Sequence, residues 1–133
     1  MTDALGIPLG LAVSGANRQD MKLVEETLLS IPVLRPIPTE ERPQHLCLDK
    51  GYDYPEVRRG ARQMGFTPHI RARGEEARRD PRHPARRWVV ERTHSWSNRA
   101  RRLLVRWEKK AENYIAMLHL SFATLVFNKL ISG

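Results

Sequence analysis

Asp49 and Glu91 are the two carboxylates in this sequence whose positions are best suited to chemistry. Asp49 directly follows a short apolar run, residues 45–48, and precedes Lys50-Gly51, so it is expected at the carboxyl end of a buried strand. Open α/β sheets place their functional groups at that end of their strands. The alternative is an aspartate that only caps the turn at Lys50-Gly51. The sequence alone favours neither role for Asp49.

Glu91 lies within a predicted helix that spans residues 86–107. One side of this helix has residues at spacings of three or four, which we expect to face the core: Val89, Thr93, Trp96, Ala100, Leu103 and Trp107. The opposite side carries Arg87, Glu91, His94, Ser95, Asn98, Arg101 and Arg102. A surface ion pair with Arg87 would contribute only a few tenths of a kcal/mol to the helix. Periodicity alone favours this structural role for Glu91 over a catalytic one.

Positive charge is concentrated in one segment of the chain. The formal net charge is +8 and the sequence pI is about 10.4. Residues 71–110 hold 14 of the 23 lysines and arginines but only five of the 15 acidic residues. Most of these cations are arginines, whose planar fork suits phosphate oxygens. This concentration of positive charge favours a nucleic acid as the partner. The alternative is a solvated basic face that only maintains solubility.

Other common kinds of site are not indicated. The sequence contains neither a Walker loop nor a glycine-rich dinucleotide fingerprint, and its histidines and Cys47 lack the spacing of a zinc site. No small-molecule cofactor is therefore expected. A single cysteine is typical of a reducing compartment, and Thr2 and Asp3 stand where the basic start of a signal peptide would be. These features predict a cytoplasmic protein.

The last apolar stretch, residues 114–131, is expected to form a buried helix of a soluble protein. The polar residues that interrupt it are His119, Ser121, Thr124, Asn128 and Lys129. A helix that spans a lipid bilayer would not readily accept so many polar groups. No membrane association is therefore expected.

Strands and helices are predicted to alternate along the chain. The predicted strands are residues 7–13, 45–48 and 66–70, and the predicted helices are residues 20–29, 55–64, 86–107 and 113–130. Asp20 and Asp53 are expected to cap the first two helices, and Gly65 to end the second. Residues 74–84 are charged and contain two prolines, which predicts a loop. The alternation indicates an α/β layered domain.

Four segments together resemble a known family. They are Gly6-Ile7-Pro8-Leu9 with residues 14–20, Leu48-Asp49-Lys50-Gly51-Tyr52-Asp53, Arg87-Trp88-Val89-Val90-Glu91-Arg92, and residues 101–108. In this order, over nearly the whole chain, they resemble the C-terminal half of insertion-sequence transposases with a DDE catalytic core. The resemblance implies an α/β, RNase H-like layered fold that is incomplete because it lacks the first strand. Residues 1–133 would then be the C-terminal part of a transposase DDE catalytic domain.

The resemblance also implies roles for individual residues. In that family three carboxylates hold two divalent ions, Mg²⁺ or Mn²⁺, for DNA cleavage and strand transfer. By position, Asp49 is similar to the second Asp and Glu91 to the final Glu, so both are predicted catalytic residues and metal ligands. The implied DNA-binding residues are Arg87, Arg92, Asn98, Arg99, Arg101 and Arg102. The implied partners are the ends of the element, its target DNA and a second copy of the chain.

Some positions depart from the family pattern. The tyrosine that some relatives carry before Arg87 is Pro84 here, and Asn98 stands near the place where a basic residue is expected. The first catalytic Asp of the family lies upstream of the segment at Gly6, and Asp3 does not replace it. We therefore expect a fragment, a decayed copy or a second reading frame of a transposase, inactive by itself. The alternative is a non-catalytic basic DNA-binding module that regulates an intact transposase.

Overall fold

The computed structural model describes residues 1–15, 22–71, 87–98, 103, 105 and 107–132. The chain divides into two compact units. We call Gly10–Pro81 the sheet unit, and Met1–Leu9 together with Arg82–Gly133 the helical unit. The predicted mixture of strands and helices is confirmed. That residues 1–133 belong to one catalytic domain stays a prediction.

In its described residues, the sheet unit contains two helices and two parallel strands. These elements are α1 (Leu23–Leu29), β1 (Gln44–Leu48), α2 (Pro55–Gln63) and β2 (Phe66–Ile70), with a short 3-10 turn at Lys50–Tyr52. The strands pair from Gln44 opposite Phe66 to Leu48 opposite Ile70. Parallel strands joined through a helix bring both of their carboxyl ends to one edge of the sheet. The predictions for residues 45–48, 55–64 and 66–70 are confirmed to within one residue.

Alternation along the two strands decides which face of the sheet is buried. Leu46, Phe66 and Ile70 are buried, and α2, which packs against β2, contributes Val57 and Ala61 to the same core. The residues between them on the strands are exposed: His45, Cys47, Thr67 and His69. Successive side chains of a strand point to opposite faces. The buried set therefore lies on one face of the sheet and the exposed set on the other.

Different residues determine where α2 begins and where it ends. Pro55 stands in the first turn, where its missing N–H leaves no helical hydrogen bond unmade. Gly65, with φ of +81°, follows the helix in the left-handed conformation that glycine tolerates best. The predicted Asp53 cap is wrong, because Tyr54 is the N-cap residue and makes no side-chain cap bond. The Asp53 carboxylate instead accepts hydrogen bonds from Arg58.

The helical unit is built on α3 (Arg87–Ser97) and α4 (Ala111–Ser132), which pack together. Its buried residues include three of the predicted core positions of the Glu91 helix and one of α4: Val89, Thr93, Leu103 and Leu118. Trp107 is 75% exposed, so the core prediction is wrong there. Residues 107 and 108 are not helical, and the helical periodicity on which the prediction rested does not extend to them. Ala100 lies outside the described residues.

The N-terminal part of the sequence is less regular than predicted. Residues 7–13 form no strand, and a single antiparallel bridge joins Pro8 to Thr2. The bonds from the Asp3 N–H to the Ile7 carbonyl and from the Leu9 N–H to the Met1 carbonyl flank this bridge, and within the described residues the pairing does not extend beyond it. Helix α1 begins at Leu23, after Lys22 as N-cap. The predicted cap Asp20 and the predicted loop at residues 74–84 lie outside the described residues.

The predicted helix near the end of the chain is confirmed as α4, but the prediction that this helix is buried is wrong. Leu118 is the one buried residue among the α4 side chains that the structure describes. Leu120, Phe127 and Leu130 are 62%, 60% and 79% exposed. Helix α3 has 11 residues and α4 has 22, so α3 can cover only part of it. By length and composition alone Ala111–Ile131 could cross a membrane, a criterion that core helices of soluble proteins also meet.

Candidate active site

Asp49 lies directly after the carboxyl end of β1, as its sequence context predicted. Its backbone is extended, with φ of −68° and ψ of 158°, and it is the N-cap residue of the 3-10 turn. Its Oδ1 accepts a hydrogen bond of 2.6 Å from the Lys50 N–H, and its side chain is exposed. The capping role is therefore confirmed. It does not exclude a second role, since an exposed carboxylate has a further oxygen that can contact a ligand.

Arg58 links the turn after Asp49 to the end of β2. Its guanidinium donates to Asp53 Oδ1 through Nε at 2.9 Å and Nη2 at 2.7 Å, and Nη2 also donates to the Ile70 carbonyl at 2.8 Å. The two charged side chains are 28% and 20% exposed. Because Ile70 pairs with Leu48, this contact fixes the turn at the strand edge that holds Asp49. Arg58 was not among the predicted site residues. The available signal was its position five residues after Asp53.

Glu91 lies on the exposed side of α3. The other described residues of the predicted polar side, His94, Ser95 and Asn98, are exposed as well. On the opposite side Val89 and Thr93 are buried. The orientation predicted from periodicity is thus confirmed for the described part of this helix.

The candidate DNA-binding residues are only partly described. Arg92 Nη2 donates to the Leu5 carbonyl at 2.7 Å, and the Arg92 guanidinium lies 5.0 Å from the centre of the Trp96 ring. Lys129 Nζ lies 5.2 Å from the same ring. These contacts within the helical unit indicate a structural role for Arg92. Asn98 is exposed, the side chain of Arg87 is not described, and Arg99, Arg101 and Arg102 lie outside the described residues.

Two histidines form a pair that sequence reasoning missed. His45 Nδ1 and His69 Nε2 are 2.7 Å apart, with ring centres separated by 4.8 Å. Both rings lie on the exposed face of the sheet. One nitrogen of this contact must carry the hydrogen that the other accepts. Two histidines on exposed positions of neighbouring predicted strands were the available signal, but only the strand register reveals the contact.

The donor chemistry of the two carboxylates suits a hard divalent cation. Mg²⁺ prefers oxygen ligands, and it is commonly held by one or two carboxylates together with phosphate oxygens of the substrate. Within the described residues, no group of three or more His, Cys, Asp or Glu side chains could hold a metal ion. Asp49 belongs to the sheet unit and Glu91 to the helical unit. Their sharing of an ion therefore stays a prediction.

Comparison with known proteins agrees with the motifs. Residues 1–126 match the family model described as the transposase DDE domain. A putative transposase for the insertion sequence element IS402 from Burkholderia cepacia is 35% identical over 136 aligned residues. That alignment covers 98% of this chain, but the chain spans only 62% of the length of the relative. No solved structure matches the chain.

Proposed function

Since the chain belongs to the transposase DDE domain family, as its motifs predicted, we propose that it takes part in DNA transposition. The chain would form part of an RNase H-like domain that catalyses metal-dependent phosphodiester cleavage and strand transfer. The observation that carries the proposal is the family match over residues 1–126. The location of Asp49 at the carboxyl end of a parallel strand supports it, because α/β sheets bind ligands at that edge.

In the proposed reaction Asp49 and Glu91 are metal ligands. Two bound Mg²⁺ or Mn²⁺ ions would activate the attacking oxygen and stabilise the leaving oxygen of an in-line displacement. The residues of the chain hold and orient the carboxylates for that purpose. Asp49 is held by its bond to the Lys50 N–H, and Glu91 is held by the packing of α3. Both side chains are exposed, so ions and DNA phosphates can reach them.

The basic segment at residues 71–110 would bind the DNA backbone. Phosphate contacts by lysine and arginine release condensed counterions, so the affinity should fall steeply with salt and depend little on sequence. Arg87, Asn98, Arg99, Arg101 and Arg102 are the candidate contacts, together with Arg92. The ends of the element and the target DNA are the proposed partners.

Titration of the 133-residue chain with Mn²⁺ tests the metal role. We expect Asp49→Asn and Glu91→Gln each to weaken Mn²⁺ binding by about tenfold or more. Replacing a residue that only hydrogen-bonds to a metal ligand commonly lowers metal affinity by that factor, and loss of a ligand itself should lower it at least as much. Glu56→Gln is the matched control, since Glu56 is an exposed carboxylate in the first turn of α2. Equal Mn²⁺ affinity in the wild type and both site variants would contradict the proposal.

A non-catalytic DNA-binding module is the second candidate function. It is favoured by the concentration of positive charge in residues 71–110. Fluorescence anisotropy with a duplex of arbitrary sequence, measured over a range of salt, distinguishes the two functions. Both functions predict that replacing Arg101 and Arg102 by Ala lowers the salt slope by about 1–2. Replacing Arg59 and Arg62, which are exposed on α2, is the control. Only the catalytic function predicts that Mn²⁺ changes DNA binding through Glu91.

A further inference from the structure

The turn at residues 3–7 is closed by its own hydrogen bonds. The Asp3 N–H donates to the Ile7 carbonyl at 2.9 Å, and the Gly6 N–H donates to the Asp3 carbonyl at 3.2 Å. Asp3 Oδ1 accepts from the N–H groups of Leu5 and Ile7, each at 2.8 Å. We call residues 3–7 the N-terminal turn. Asp3 therefore has a structural role in this turn.

Two side chains of α3 bind the carbonyl groups of the N-terminal turn. Thr93 Oγ1 donates to the Gly6 carbonyl at 2.7 Å, and Arg92 Nη2 donates to the Leu5 carbonyl at 2.7 Å. The Thr93 hydroxyl also lies 3.2 Å from the Val89 carbonyl in its own helix. The contact with Gly6 is the shorter of the two, and Thr93 is only 5% exposed. The hydroxyl is thus buried and bonded across 87 positions of the sequence.

Gly6 fits this contact because it lacks a side chain. Its φ of +83° is unfavourable for other residues, and a Cβ there would lie 3.2 Å from Thr93 Oγ1 and 3.4 Å from Arg92 Nη2. The close approach of the turn to α3 therefore needs glycine at this position. It also requires side chains on α3 that can donate hydrogen bonds to the carbonyls.

We infer that the bond from Thr93 to Gly6 is a positioning contact for Glu91. The inference rests on the proposed function, in which Glu91 is a metal ligand. Thr93 follows Glu91 by two positions, and successive helix residues are rotated by about 100°. Holding residues 92 and 93 against the N-terminal turn fixes the rotation of α3 about its axis. The rotation in turn fixes the direction in which Glu91 projects.

Thr93→Val and Thr93→Ser in the 133-residue chain test the positioning role. Valine has the shape of threonine without the hydroxyl, and serine keeps the hydroxyl. We expect Thr93→Val to weaken Mn²⁺ binding by about threefold to tenfold and Thr93→Ser to restore most of the loss. Thr124→Val is the matched control, since the Thr124 hydroxyl bonds only to the Leu120 carbonyl of its own helix at 2.9 Å in the described structure. That control should leave the affinity unchanged.

A double-mutant cycle separates positioning from a general loss of structure. If Thr93 acts through Glu91, Thr93→Val should have no further effect on Mn²⁺ affinity in a Glu91→Gln background. An equal loss in both backgrounds would overturn the inference, and so would an unchanged affinity in Thr93→Val. If Glu91→Gln itself leaves the affinity unchanged, the proposed metal role fails instead. In that case faster amide exchange in α3 for Thr93→Val, but not for Thr93→Ser, would still show that the bond from Thr93 to the N-terminal turn stabilises this helix.

Discussion

The two candidate metal ligands are positioned by different means. Asp49, in the sheet unit, is held by the amide of the next residue and by the end of the strand that it follows. Glu91, in the helical unit, lies on a helix whose neighbouring side chains bond to a turn 87 positions earlier in the sequence. Local contacts of the first kind are encoded in a short segment. Contacts of the second kind exist only once the chain has folded.

This difference predicts how the two carboxylates respond to mutation. The environment of Asp49 should change mainly with the strand core and the adjoining turn. That of Glu91 should change with residues far away in the sequence, in the N-terminal turn. The following substitutions test the contrast, in order of the expected loss in the free energy of unfolding.

Phe66→Ala should have the largest effect. Phe66 is 6% exposed in the core of the sheet unit, and the Arg35 guanidinium lies 4.0 Å above its ring. Truncating a buried phenylalanine removes apolar burial and leaves a cavity, which costs about 3–5 kcal/mol. Urea unfolding measures the loss. Leu34→Ala, at a fully exposed apolar residue, is the control and should change stability by less than about 0.5 kcal/mol.

Gly6→Ala and Gly65→Ala should have intermediate and similar effects. Both glycines have positive φ, and a Cβ at Gly65 would lie 3.1 Å from Pro38 Cγ, much as one at Gly6 would crowd Thr93. The left-handed conformation alone costs an L-residue about 1–2 kcal/mol. Gly51→Ala is the control, because a Cβ there meets no atom within 4 Å.

The two glycine variants should differ in which amides they expose. Hydrogen exchange should become faster in α3 for Gly6→Ala and near the end of α2 for Gly65→Ala. Unchanged exchange in α3 for Gly6→Ala would show that the N-terminal turn does not hold the Glu91 helix. Faster exchange there for Gly65→Ala as well would show that the effect is not specific to that turn.

Arg58→Met should have a smaller effect. The substitution removes the bonds to Asp53 and to the Ile70 carbonyl but keeps most of the apolar stem. Both charged groups are partly exposed, so solvent screening limits the loss to about 1 kcal/mol. Arg59→Met, at an exposed position of the same helix, should be nearly neutral. Equal unfolding midpoints for the two variants would show that Arg58 does not stabilise the turn after Asp49.

The sequence predicted the elements around Asp49 more accurately than those around Glu91. In the sheet unit, the short apolar run before Asp49 marked β1, and Pro55 and Gly65 marked the two ends of α2, each to within one residue. Each of these signals acts over a few positions. The contact of Thr93 with Gly6 gave no such signal, because it depends on two distant segments meeting. Helical spacing predicts that Thr93 is buried, but it does not predict the bond from its hydroxyl to Gly6.

The errors have the same origin. The pattern at residues 7–13 resembled a strand, but pairing depends on a neighbour, and only the bridge from Pro8 to Thr2 forms in the described structure. The composition of α4 indicated burial, but burial depends on what packs against the helix. Both predictions were wrong because they rested on one short segment, whereas strand pairing and burial depend on a partner elsewhere in the fold.

Asp49→Asn should have the smallest effect on stability and still weaken Mn²⁺ binding. An asparagine side chain can accept the hydrogen bond that the Lys50 N–H now donates to Oδ1, and Asn and Asp cap helices about equally well. The free energy of unfolding should therefore change by less than about 0.5 kcal/mol, whereas Asp49→Ala should lose about 1 kcal/mol because the cap is removed. A neutral amide is a poorer ligand for a hard dication than a carboxylate, so Asn and Ala should impair Mn²⁺ binding alike. If Asn keeps both stability and Mn²⁺ affinity while Ala loses only stability, Asp49 is a turn cap and nothing more.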